Sequence, residues 1–109
     1  METVSASLCW GGPRTDVLTV FVEPTPDDWV ADPSDGSGEI GVLYEMDAQG
    51  RRTDRVAGVE IVGFLDFDGW GDLPKLDLLW HMPGQESLSL EGLLKRAQQE
   101  LRQRSAAVA

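Results

Sequence analysis

Three aspartates recur in the stretch Asp66-Phe67-Asp68-Gly69-Trp70-Gly71-Asp72. Alternating carboxylates are what a hard divalent cation requires. Calcium loops of the D-x-[DN]-x-[DN]-G type supply oxygens from the first, third and fifth positions and a bidentate acid from the twelfth. Counting from Asp66 puts Asp68 third, Gly71 sixth and Asp77 twelfth, but Trp70 fills the fifth position and Pro74 the ninth. Neither can be a side-chain ligand. Asp66, Asp68 and Asp72 therefore form a metal candidate with a broken pattern. The alternative is a tight connection whose aspartates satisfy backbone amides. His81 is the only histidine and Cys9 the only cysteine. His81 lies between Trp80 and Met82 with no serine, cysteine or acid at triad or ligand spacing, so its expected role is structural. Dinucleotide, phosphate-loop, CxxC, HExxH and GxSxG patterns are missing. No catalytic residue and no cofactor is expected, and the chain reads as a non-enzyme.

A second acidic stretch has a different chemistry. Pro24 to Gly38, PTPDDWVADPSDGSG, holds three prolines and four aspartates between two strand-like segments. It reads as a long loop, and long loops in compact domains are often functional. Asp27, Asp28, Trp29, Asp32 and Asp35 would give an indole anchor among carboxylates, a combination suited to a basic protein partner. In the plainer alternative Trp29 and Val30 fold back to cap the sheet.

Charge points the same way. The formal net charge is −10 over 109 residues. Residues 1–84 carry sixteen acids and five bases; residues 85–109 carry three acids and four bases. Such a body repels free nucleic acid and attracts a basic partner. It could equally serve solubility. One cysteine allows no internal disulfide, and the start METVSASLCWGG has no basic region before its short apolar run. A cytoplasmic, non-membrane protein is expected.

The elements that must hold these residues are mostly strands. Ile40, Val42, Tyr44 and Met46 alternate with Gly41, Leu43 and Glu45, the period of a strand. Asp47-Ala48-Gln49-Gly50 is a turn: aspartate caps it and glycine takes the positive φ. The return strand puts Ala57, Val59, Ile61 and Leu65 on a core face and Val56, Glu60, Val62 and Phe64 on the other. Glu60 is expected to pair across strands with Arg52 or Arg55. Val4-Ala6-Leu8 and Asp16 to Glu23 are further strands, the latter ended by Pro24. Leu76, Leu78 and Trp80 mark a closing edge strand. Residues 87–104 form a helix with Ser89 as N-cap. Its stripe of Leu90, Leu93, Leu94, Ala97 and Leu101 either packs on the sheet or, through Leu90, Leu94, Ala97 and Leu101, holds a homodimer. The expected fold is one α+β domain: an antiparallel sheet of four or five strands over 1–84 and one C-terminal helix packed on it.

Three pieces of this pattern carry a resemblance. Asp16-Val17-Leu18-Thr19-Val20, the turn Asp47-Ala48-Gln49-Gly50, and Gly58-Val59-Glu60-Ile61-Val62 stand in an order similar to that of domain-of-unknown-function family 2283, short β-rich bacterial and archaeal proteins. The match spans roughly residues 16–64. The Pro24–Gly38 stretch and the insertion near Arg52 to Arg55 depart from the family pattern. The resemblance implies a small β-rich fold with a helix. Some members resemble the antitoxin half of toxin–antitoxin operons in size and acidity. It supplies no catalytic residue. Together with the charge, it gives the expected function: binding and inhibiting or regulating a basic protein, with Asp27, Asp28, Trp29, Asp32, Asp35 and Glu60 at the contact.

Overall fold

The computed structural model describes residues 2–33 and 38–108. Val4, Ala6 and Leu8 alternate with Ser5 and Ser7, and they form β1 (Glu2–Trp10). Gly11-Gly12-Pro13 breaks it. β2 (Val17–Glu23) returns antiparallel, with Ala6 opposite Val22 and Leu8 opposite Val20. β3 (Trp29–Pro33), β4 (Ile40–Met46) and β5 (Arg52–Val62) follow, then β6 (Leu78–His81) and α1 (Leu90–Val108). Among the described residues the sheet has six strands in the order β3-β4-β5-β2-β1-β6. This is an α+β fold, with two departures from the expected sheet.

The first is β3. Pro24 to Gly38 is not one loop, because Trp29 to Pro33 pairs antiparallel with β4, from Trp29 opposite Glu45 to Pro33 opposite Gly41. Prolines suggested a loop. At an outer strand, however, a proline costs no ladder bond when its missing N–H would face outward. The second is β6, which runs parallel to β1, Glu2 opposite Leu78 and Val4 opposite Trp80. The crossover from β5 returns the chain to the sheet in β5's own direction. Alternation of side chains carries no information about strand direction, so this pairing was not legible in it.

The hairpin between β4 and β5 forms as expected. The Asp47 carboxylate accepts the N–H groups of Gln49 at 3.0 Å and Arg51 at 2.9 Å, and Gly50 takes φ 77°. A bulge at Ala57 then shifts the register: Leu43 faces Gly58 while Tyr44 faces Val56. The shift moves Val56 to the side of Val59, not that of Glu60. β5 ends at Val62, and Gly63 at φ 68° turns Phe64 into the core in place of Leu65. Gly58 is required for packing: a Cβ there would overlap the backbone carbonyl of Val20 on β2.

One face of the sheet carries the core. Leu18, Val20, Ile40, Val59 and Ile61 meet Phe64 and Phe67 of the crossover, Trp80 of β6, and Leu90, Leu93, Leu94 and Ala97 of α1. Each large side chain so buried contributes about 1.5–3 kcal/mol. Ser89 accepts the Gly92 N–H at 3.1 Å as N-cap. The helix starts at Leu90 because Leu88 is held extended against the outer edge of β6, exchanging N–H···O bonds with Trp80 at 2.7 and 2.9 Å. Of the four residues expected at a homodimer face, the chain's own packing buries Leu90, Leu94 and Ala97, and Leu101 is half-buried.

Candidate functional site

The aspartates of the crossover do not converge. Asp66, Asp68 and Asp72 are all exposed, and among the described residues no group of three or more His, Cys, Asp or Glu could hold a metal ion. Nor do they cap the crossover's amides. That role belongs to Asp16. Its carboxylate accepts the Leu65 N–H at 2.9 and 3.1 Å and the Trp10 indole N–H at 3.0 Å, while its carbonyl accepts the N–H groups of Gly63 and Phe64. Asp16 does this at φ 49°, a region that aspartate tolerates better than most residues. Gln98 is the matching anchor on α1: it is 6% exposed and donates to the carbonyls of Phe64 and Phe67, both at 2.8 Å. Sequence reasoning missed both residues. The available signal was a polar residue at 98, four positions after Leu94 and so on the apolar side of the helix.

The six residues of the expected contact do not share one surface. Asp35 lies outside the described residues. Asp32 lies on the helix side of β3 and pairs with Arg52 at 2.8 Å, and Arg52 also stacks on Tyr44, 3.8 Å from the ring centre. Asp28 accepts its neighbour Trp29's N–H at 3.0 Å. Trp29 points to the opposite face from Asp32, is 39% exposed, and meets Phe21 edge to face at 5.3 Å. Asp27 is exposed. Glu60 lies on that same face, opposite Thr19 and Gly41. Its expected partners are engaged elsewhere, Arg52 with Asp32 and Arg55 with Glu45 at 3.6 Å.

Both margins of the sheet are blunted. Met46 donates to the Asp28 carbonyl at 3.0 Å, so residues 28, 30 and 32 face β4, and 29, 31 and 33 turn their backbone outward. Of those outward positions, Trp29's N–H is taken by Asp28 and Pro33 has none. On the far side Leu88 covers β6. Strand addition by a partner is therefore poorly served at either edge.

The helix-side face is different. α1 covers the half nearest the β1–β2 turn, where Ala97 and Leu101 neighbour Leu8, Trp10 and Leu18. Toward the other strand ends a groove of about 440 Å³ opens, floored by Val4, Val22, Val56, Leu76 and Leu78 and lined by no α1 residue. It shares Val22, Arg55 and Val56 with a second hollow of about 310 Å³ beside Pro24 and Pro26. Exposed Glu2, Asp54 and Asp77 rim the first; Glu23 and Asp27 rim the second. Hydrogen bonds from the Ser7 hydroxyl at 2.5 Å and the Thr25 hydroxyl at 3.1 Å hold the Glu23 carboxyl below the usual carboxylate value, so this charge persists into mild acid. Five half-exposed aliphatic side chains enclosed by carboxylates can bind apolar matter that carries positive charge.

The fold and this surface define a small α+β sheet-and-helix protein with an acid-rimmed apolar groove. No family model, no curated protein and no solved structure matches the chain. Among the described residues no helix is long and apolar enough to cross a membrane.

Proposed function

We propose that this chain is a non-enzymatic interaction protein that binds a basic protein and inhibits or regulates it, in the manner of an antitoxin, immunity protein or phage-type inhibitor. The observation that carries this reading is uncompensated charge. The side-chain carboxylates of Glu2, Asp27, Asp54 and Asp77 make neither an ion pair nor a hydrogen bond among the described residues, in a chain of net charge −10. Clustered carboxylates without counter-ions cost the folded state self-repulsion, and a basic partner relieves it. The resemblance of the hairpin to family 2283, with its antitoxin-like members, agrees with this reading.

The test is capture with the tagged chain from its native host at low and at high salt, followed by reconstitution of the captured pair from purified proteins. A stoichiometric basic partner that is released by salt and loses activity when bound is the expected result. Recovery of the tagged chain alone at both salts overturns the reading.

A further inference from the structure

Resting on that reading, we infer that the groove over Val4, Val22, Val56 and Leu78 receives a basic amphipathic helix of the partner. Three observations lead there. The floor is apolar and half-exposed, and it is the uncovered continuation of the face on which α1 already packs. The rim is acidic: around the groove the exposed Glu2, Asp54 and Asp77 oppose Lys75 and Arg55, and Arg55 is already paired with Glu45. Finally, the shape favours a helix over a strand. The blunted margins leave an extended segment little backbone to pair with. The four floor side chains come from four neighbouring strands, β5, β2, β1 and β6. Three inter-strand gaps of about 4.8 Å span at least about 14 Å, the length of about ten helical residues. Successive helical turns rise about 5.4 Å, close to one strand spacing, so apolar residues at every third or fourth position can each meet one strand. A second copy of this chain fits poorly, because two acidic rims would face each other.

The probe is a fluorescein-labelled helical peptide of about fifteen residues, with leucine at every third or fourth position and lysine on the remaining face. Its control replaces each lysine by glutamate. Anisotropy is read at low salt with four proteins: the parent, Val56→Lys, Asp54→Lys/Asp77→Lys, and the charge-matched Asp66→Lys/Asp68→Lys. Val56 lies outside the main core, and the rim and crossover aspartates changed here are exposed, so folding should survive; circular dichroism checks this. The expected result is binding of the lysine peptide only. Affinity should weaken about tenfold or more in the first two variants and by about twofold or less in the third.

Equal weakening by both aspartate pairs would overturn the groove while leaving a basic partner intact, since general acidity would then suffice. Equal binding of the glutamate peptide, or no binding to the parent, would also overturn it. So would a parent dimer that Val56→Lys dissociates, because the occupant would then be a second copy. Once a partner is captured, its unchanged retention by Asp54→Lys/Asp77→Lys would remove the groove without touching the proposed function. Failure to capture any partner would remove that function instead.

Discussion

Asp16 is the residue whose loss should be felt farthest from its own position. Its half-buried carboxylate joins the β1 terminus, through the Trp10 indole, to the crossover, through Leu65. Truncation to alanine strands both N–H groups. A hydrogen bond to a charged group is worth about 1.5–3 kcal/mol; with partial access of water, two together amount to about 3 kcal/mol. Alanine also inherits φ 49°, which adds about 1 kcal/mol of left-handed strain. Asp16→Ala should therefore lose about 4 kcal/mol. Asp16→Gly, free of the strain, should lose about 3 kcal/mol, and Asp16→Asn, which keeps one acceptor and tolerates the conformation, about 1 kcal/mol. At about 4–8 °C per kcal/mol for a domain near this size, the alanine variant should melt at least about 15 °C below the parent. Urea and thermal unfolding followed by circular dichroism read the series. An alanine variant within about 1 kcal/mol of the parent, or a glycine variant less stable than the alanine one, would show that the carboxylate bridge and the strained φ are not what this corner depends on.

Other outcomes follow from the same packing. Gln98→Leu keeps the volume but leaves the Phe67 carbonyl without its donor, while the Phe64 carbonyl still accepts the Phe67 N–H; chemical denaturation should register a loss of about 1–3 kcal/mol. Gly58→Ala must push β5 from β2, so a loss of about 1–3 kcal/mol should come with changed near-ultraviolet circular dichroism from the Phe21–Trp29 pair. Glu23 has its carboxyl below the ordinary 4.5 when folded, so its contribution is complete above that value and fades as pH falls through the lower folded one. The stability gap between the parent and Glu23→Gln should then narrow on acidification and close in strong acid, as read by urea midpoints across pH.

The parts of this fold that depend on local pattern were readable in the residues. The turn at Asp47–Gly50, the Ser89 cap and the stripe from Leu90 to Ala97 each follow from one segment's own chemistry, and each stands where that chemistry puts it. Failures came where a second segment decides. Pro33 reads as a breaker until an outer edge makes its missing N–H harmless. Val56 changes face because one bulge at Ala57 shifts the register. Leu78–His81 reads as an edge strand correctly, yet its direction depends on where the crossover lands. The acidic contact was legible as charge but not as place: Asp32 and Trp29 are three positions apart on a strand and point to opposite faces. The groove had no motif at all, since Val4, Val22, Val56 and Leu78 come from four strands and look individually like ordinary core residues.

The parallel pairing of β1 with β6 has a consequence for synthesis. β1 finds β2 soon after both emerge, but its other margin waits for Leu78 to meet Glu2. Growing from residue 2 to residue 78 takes on the order of 4–15 s at translation speed. Through that interval the nascent chain displays an unzipped strand margin from Glu2 to Ser5 that β6 later pairs. Late closure over so long a loop also slows refolding of the full chain relative to a hairpin-only sheet. Substitutions that weaken β6, more than those in β3 or β4, should thus lower soluble yield in cells before they measurably lower the melting temperature.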